Sequence, residues 1–117
     1  MRYEKEVDVA KRTNLSKKLR AKYPERVPLI IQPAPKCSHL KLSNRDRLKL
    51  VADKNMTTST LMWLIRNEVN IQSHQALFFF CKNTLVVCTQ KVGDLDKNVA
   101  EDGFVYLDFS TENAFGG

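Results

Sequence analysis

The sequence predicts an α+β fold, and three observations carry that expectation. A basic segment with few helix breakers precedes residue 24. Three short runs, Val27–Gln32, Ala76–Cys81 and Phe104–Phe109, are rich in branched and aromatic residues, and one apolar segment of helical length falls between the first two. At 117 residues, 43% hydrophobic and 27% charged, the chain holds enough apolar surface for one core and is too short for two.

The elements follow in order. Residues 4–22 place Val7, Ala10, Leu15 and Leu19 at spacings of three to five, which fits one helix or two short ones, with Asn14 or Ser16 as the cap of the second. Tyr23-Pro24 ends this arm, because the residue before a proline is kept out of the α region. Val27–Gln32 reads as a buried strand, and Pro33-Ala34-Pro35 closes it, since proline brings no ladder donor. Residues 36–46 are polar and read as a loop anchored by Leu40 and Leu42. Arg47–Ala52 alternates as a strand with one wet face would, and together with the preceding strand suggests an antiparallel pair. Thr57 is the expected N-cap of a helix running to about Val69, and its run Leu61–Ile65 gives an apolar surface wider than one core stripe. Ala76–Cys81 predicts a central strand, Lys82-Asn83-Thr84 a tight turn into Leu85-Val86-Val87, Val92–Asn98 a short helical turn, and Phe104–Phe109 the last strand. An arm, two strands, a helix and a return to the sheet are compatible with a β-grasp, one of several arrangements that this order allows.

Charge and cysteine content exclude some classes and leave others. The net charge of +6 is uneven: residues 1–26 carry nine Lys/Arg against four Asp/Glu, and residues 92–117 carry one Lys against six acids. The basic arm, from Lys11-Arg12 through Lys17-Lys18, Arg20 and Lys22, suits an acidic protein surface or an anionic membrane, or is simply the solvated face of a helix. No aromatic residues interleave with these cations to stack on bases, which speaks against nucleic acid as a partner. Cys37, Cys81 and Cys88 form no Cys-x-x-Cys pair, so neither a disulfide framework nor a zinc knuckle is expected. No apolar run approaches the roughly 20 residues that span a bilayer, and the charged Met1–Lys5 is unlike a secretory signal, so a cytoplasmic protein is expected. His39 and His74 stand apart, and no nucleophile–base pair, metal-ligand spacing or Gly-rich phosphate loop is present to suggest an enzyme.

The terminal Phe115-Gly116-Gly117 places residues without a Cβ directly after an expected strand. Such a segment can thread a narrow catalytic channel and offer an unhindered carbonyl for acyl transfer, or it can be a frayed terminus.

Four segments then narrow the choice. Tyr23–Pro28, Leu64-Ile65-Arg66, Ala76–Phe80 and Glu101–Tyr106 occur in order and at family spacing, together with the aromatic-Gly terminus. With them the chain resembles the GABARAP and microtubule-associated light-chain family of autophagy-related ubiquitin-like modifiers. The resemblance covers nearly the whole chain and implies a ubiquitin-like β-grasp with two additional N-terminal helices. The expected organisation is a helical arm over residues 1–24, a ubiquitin-like domain over 25–110 and a conjugation tail over 111–117. It further implies that the protein is a substrate and not a catalyst. A cysteine protease would trim the tail between Gly116 and Gly117, activating and conjugating enzymes would carry Gly116, and its carboxylate would end as an amide on phosphatidylethanolamine. Gly117 is the rival acceptor, since a glycine stands where relatives usually have another residue. No cofactor is implied beyond that covalent lipid, and the lipidated form would sit on autophagosome membranes.

The resemblance also implies capture of an aromatic-x-x-aliphatic peptide, as found in cargo receptors, on the strand Arg47–Ala52. An edge strand offers free backbone donors and acceptors to an extended segment, while side-chain pockets select among segments. Leu19, Pro28, Ile30, Lys49, Val51 and Phe104 would surround the aromatic side chain, and Ala52, Met56, Leu61, Leu64 and Ile65 would receive the aliphatic one. Arg26, Arg47 and Lys49 would steer acidic flanks. Two departures from the family pattern concern this site. A Glu common in the arm is replaced near Leu15, and Glu68 stands where a basic residue is frequent beside the aliphatic pocket. A non-conjugated interaction domain, binding tubulin or other acidic surfaces through the basic arm, is the alternative.

Overall fold

The structure is a computed structural model that describes residues 2–111. The arm is two helices, α1 (Tyr3–Glu6) and α2 (Val9–Lys22), followed by β1 (Arg26–Pro33), β2 (Leu48–Asp53), α3 (Thr58–Arg66), β3 (Phe78–Cys81), β4 (Thr84–Leu85) and β5 (Val105–Ser110). Single-stretch 3₁₀ turns lie at Pro35–Cys37 and Val92–Asn98. Among the described residues one mixed sheet forms, in the order β2-β1-β5-β3-β4, with β1 and β5 parallel and the other pairs antiparallel. This is the β-grasp with N-terminal helices that the element order allowed.

Both faces of the sheet are covered, and the alternation along the two central strands shows how. Val27, Leu29 and Ile31 of β1, with Val105, Leu107 and Phe109 of β5, join Leu61 and Ile65 of α3 in the main core. The opposite-facing Ile30 joins Tyr3, Val7, Leu15, Leu19, Phe104 and Tyr106 in a second cluster beneath the arm. Strands buried on both sides read as continuous apolar runs, which is why Val27–Ile31 shows no polar alternation.

Several sequence expectations move by a residue or a cap. The arm breaks at Val7–Asp8, and α2 is capped by Asp8, whose carboxylate accepts from Ala10 N at 3.2 Å, instead of by Asn14 or Ser16. Asn14 lies inside the helix, and Ser16 is buried and turned toward residue 102. Thr57 does cap α3, accepting from Thr60 N at 3.3 Å, but the helix ends at Arg66, three residues short of Val69. Strand β2 begins at Leu48 and not Arg47, β3 at Phe78 and not Ala76, and β5 at Val105 and not Phe104. The turn at Lys82-Asn83 has φ of 49° and 64°, the paired left-handed residues of a tight hairpin, and β4 after it stops at Leu85 instead of continuing to Val87.

Candidate functional site

Strand β2 lies at the end of the strand order and among the described residues pairs with β1 alone, so one side of its backbone is left outside the sheet. The register Val51↔Pro28 and Lys49↔Ile30 puts these four residues on the arm side, and Leu48, Leu50 and Ala52 on the side facing α3. A cleft of about 610 Å³ opens between that second side and α3. Ala52, Met56, Leu61, Leu64 and Ile65 line it, so the whole expected aliphatic set is brought together, and Val51, expected beside the aromatic side chain, also borders it. Leu61 and Ile65 form the floor at 3% and 1% exposure, whereas Leu64, at 46%, stands at the rim. Sequence reasoning left out Leu42, Ser43, Arg45, Leu48, Leu50 and Asp53, which complete the lining. The signal for Leu48 and Leu50 was their two-residue spacing with Ala52. Leu42, Ser43 and Arg45 arrive through a tight turn, with φ of 49° at Ser43 and 68° at Asn44, that composition did not reveal.

Charge around the cleft is mixed. Arg26 and Arg45 lie on its walls, as does Glu68, whose carboxylate takes the Ser43 hydroxyl. Arg26 also sits over the Tyr23 ring, 5.4 Å from its centroid. Arg47, expected to be available to a ligand, is engaged within the chain: it bonds Glu6 at 2.7 Å, and that bond holds the Glu6 carboxyl below the usual range.

The residues expected around an aromatic side chain lie on the other side of β2. Lys49 is exposed, Leu19 and Val51 are half-buried, and Pro28 is buried. Ile30 and Phe104 are at 0% exposure. Tyr3 covers them, its ring edge-on to Phe104 with centroids 5.7 Å apart.

Below this region α2 is fixed to the loop preceding β5. Asp102, 3% exposed, accepts from Arg12 at 3.0 Å, from the Phe104 amide at 2.9 Å and from the Tyr106 hydroxyl. Burial and the bond to Asp102 push the Tyr106 hydroxyl far above its ordinary value, so it stays a donor. Arg20 adds a two-point pair with Asp96, at 2.8 and 3.0 Å, and reaches the Gly103 carbonyl. These contacts account for Glu101–Tyr106 as a structural joint between arm and sheet. Gly116 and Gly117, the expected conjugation and cleavage positions, lie outside the described residues, as does most of the 111–117 tail.

The architecture defines a class: a ubiquitin-like domain carrying a helical arm and an open edge strand beside an apolar cleft. The family profile described as "Autophagy protein Atg8 ubiquitin like" matches residues 11–116, and the chain belongs to this family. The fold is shared with Trypanosoma brucei ATG8, at TM-score 0.78 and 23% identity over 94% of this chain and 93% of that one. It is likewise shared with Plasmodium falciparum Atg8, solved in complex with a P. falciparum Atg3 peptide, at TM-score 0.80 and 21% identity over 96% and 97%.

Proposed function

We propose that the chain is a ubiquitin-like modifier joined through Gly116 to phosphatidylethanolamine in autophagosome formation, and that the β2–α3 edge recruits cargo receptors through aromatic-x-x-aliphatic segments. Family membership supports the conjugation half. The peptide half is supported by one observation above the others: an edge strand with a free backbone side borders a 610 Å³ apolar cleft with a hydrophobic floor. An extended segment laid along β2 would add a strand to the sheet and place an aliphatic side chain over Leu61 and Ile65. The Atg3 peptide bound to P. falciparum Atg8 supports extending the same class of partner, a segment of a conjugating enzyme, to this chain.

In this reading the protein supplies the acyl group and its partners supply the catalysis. A cysteine protease removes Gly117, and activating and conjugating enzymes carry the Gly116 carbonyl as an adenylate and then as thioesters. The lipid amine attacks that carbonyl, the C–N bond forms, the C–S bond breaks, and the enzyme thiol is released with its proton. The lipid's two acyl chains give stable anchorage where a single chain binds only marginally. The conjugated form is thereby moved from the cytoplasm to the autophagosome membrane.

Incubation with the tail-processing protease, activating and conjugating enzymes, ATP and phosphatidylethanolamine liposomes tests the reading. The wild-type chain is expected to lose Gly117 and gain the mass of the lipid less one water, and Gly116→Ala is expected to carry no lipid. Lipid on Gly117 in intact protein would reassign the acceptor, and no lipid on either glycine would reject conjugation. A second reading, a non-conjugated domain that binds tubulin or other acidic surfaces, draws on α2: Lys11, Lys17, Lys18 and Lys22 are exposed while Arg12 and Arg20 are paired inward. It predicts salt-sensitive cosedimentation with such a surface when the glycines play no part.

A further inference from the structure

The expected aromatic subsite is filled by the chain itself. Tyr3 is only 4% exposed and covers Ile30 and Phe104, while the cations at the sheet edge stand over its ring: Arg47 Cζ is 5.2 Å and Lys49 Nζ 5.6 Å from the centroid. Both are within cation–π range. Glu6, one turn further on, bonds Arg47. Tyr3-Glu4-Lys5-Glu6 thus presents, from within the chain, an aromatic ring with acidic neighbours, the features that the peptide-capture reading assigns to a ligand. We infer that Tyr3 is an intramolecular competitor for that subsite and that α1 is a displaceable plug, so that capture of an aromatic-x-x-aliphatic peptide is coupled to release of α1. The inference rests on the peptide-capture reading and adds what governs its affinity.

The two arm helices are attached very differently. α2 has fourteen residues, its own Asp8 cap, and the buried contacts of Arg12 and Ser16 to residue 102. α1 is one turn of four residues with no side-chain cap, far shorter than a helix that persists alone. Side-chain latches hold it in place. Arg2 bonds Asp108 at 2.7 and 3.0 Å and the Pro33 carbonyl at 3.0 Å. Gln32 accepts from Tyr3 N at 3.1 Å and donates to Glu4 at 3.0 Å. Val7 and Asp8 between the helices leave the helical region, with ψ of 130° and 141°, and Arg12 of α2 holds the Val7 carbonyl at 3.0 Å, so the inferred release of α1 turns about a joint that stays anchored on α2. An incoming acidic-flanked aromatic segment would replace each contact that Tyr3 and Glu6 give up: a ring on Phe104 and Ile30, and carboxylates on Arg47 and Lys49.

Calorimetry with one acidic-flanked aromatic-x-x-aliphatic peptide tests this against four forms of the full chain. Removing a plug that leaves only a minor fraction of the site open raises apparent affinity by the inverse of that fraction, on the order of tenfold when about a tenth is open. Tyr3→Ala, and Arg2→Ala, which unlatches α1 without touching the subsite, are both expected to bind about that much more tightly than wild type. Tyr3→Phe is expected to bind as wild type does. Hydrogen exchange on the wild-type complex is expected to show residues 3–7 losing protection while residues 9–22 keep theirs. Equal or weaker binding by Tyr3→Ala and Arg2→Ala, with α1 still protected in the complex, would overturn the plug and leave peptide capture standing. Absence of binding by wild type and both unplugged variants would overturn the two together.

Discussion

Gly103 is the backbone position on which the arm–sheet joint depends. Its φ of +89° is one that side chains rarely adopt, and a Cβ placed there would come within 3.0 Å of the Ser16 Cβ and closer still to its Oγ. Ser16 in turn has no room to retreat, since it is buried and bonded to the Asp102 carbonyl. Gly103→Ala is therefore expected to cost about 1–3 kcal/mol, read as a fall in thermal midpoint of roughly 4 °C per kcal/mol for a domain of this size. A melting curve that superimposes on wild type would contradict it. This joint was legible in the sequence only as a segment, Glu101–Tyr106, that matched the family. Nothing local announced that Asp102 would gather Arg12, Tyr106 and the Phe104 amide, because Arg12 lies 90 residues away along the chain. Propensity and period describe neighbours in sequence, and a buried carboxylate is explained by neighbours in space.

Among the elements, those with strong local signals were read well and those held by distant partners were not. Leu61–Ile65 and the Thr57 cap predicted α3, and the branched and aromatic runs predicted β1, β3 and β5 to within two residues. The arm's two helices were expected, but residues 4–22 alone did not place the break at Val7–Asp8, because α1 owes its place to Arg2, Glu4 and Glu6 meeting Asp108, Gln32 and Arg47. Those bonds make the element's stability depend on pH. Burial pushes the Glu4 carboxyl up, but the bonds from Gln32 and Arg2 outweigh it and hold it below the usual range. Its contribution is present above the ordinary carboxylate value and is lost as pH falls through the lowered folded value. Glu6, held down by Arg47, has the same sign. Asp108 has the opposite one: burial raises it more than Arg2 lowers it, so its protonation comes earlier and relieves the cost of a buried charge. Arg2 then still keeps Glu4 and the Pro33 carbonyl. The Tyr3 ring resonances are accordingly expected to stay at their docked positions down to the ordinary carboxylate value of 4.5 and to move toward unstructured ones below it. Undocking already complete at pH 6 would show that these carboxylates do not hold α1.

At the scale of the whole molecule, the cleft exists because the main core ends at an edge strand and a helix that do not close on each other. The sheet's last strand and α3 each turn apolar residues inward, and the space between them is lined by residues that belong to the core and to the surface at once. This double membership is why the sequence alone could not separate pocket from core among Ala52, Met56, Leu61, Leu64 and Ile65. Position in the fold does separate them. Leu61 lies at 3% exposure in the packed cluster, so Leu61→Ala is expected to leave a cavity and cost about 2–5 kcal/mol. Leu64, nearly half exposed at the rim, has little packing to lose, and Leu64→Asp, a carboxylate in the last turn of α3, is expected to cost about 1 kcal/mol, well below Leu61→Ala. A carboxylate there, beside Glu68, would set an unpaired charge against the incoming aliphatic side chain, whose burial alone is worth about 1.5–3 kcal/mol. Peptide affinity is thus expected to fall by at least about tenfold in Leu64→Asp with only a small shift of its denaturation midpoint, whereas Leu61→Ala shifts the midpoint first. Calorimetry and chemical denaturation on the same two proteins check both halves. Undiminished peptide binding by a fully folded Leu64→Asp would move the aliphatic subsite away from this cleft.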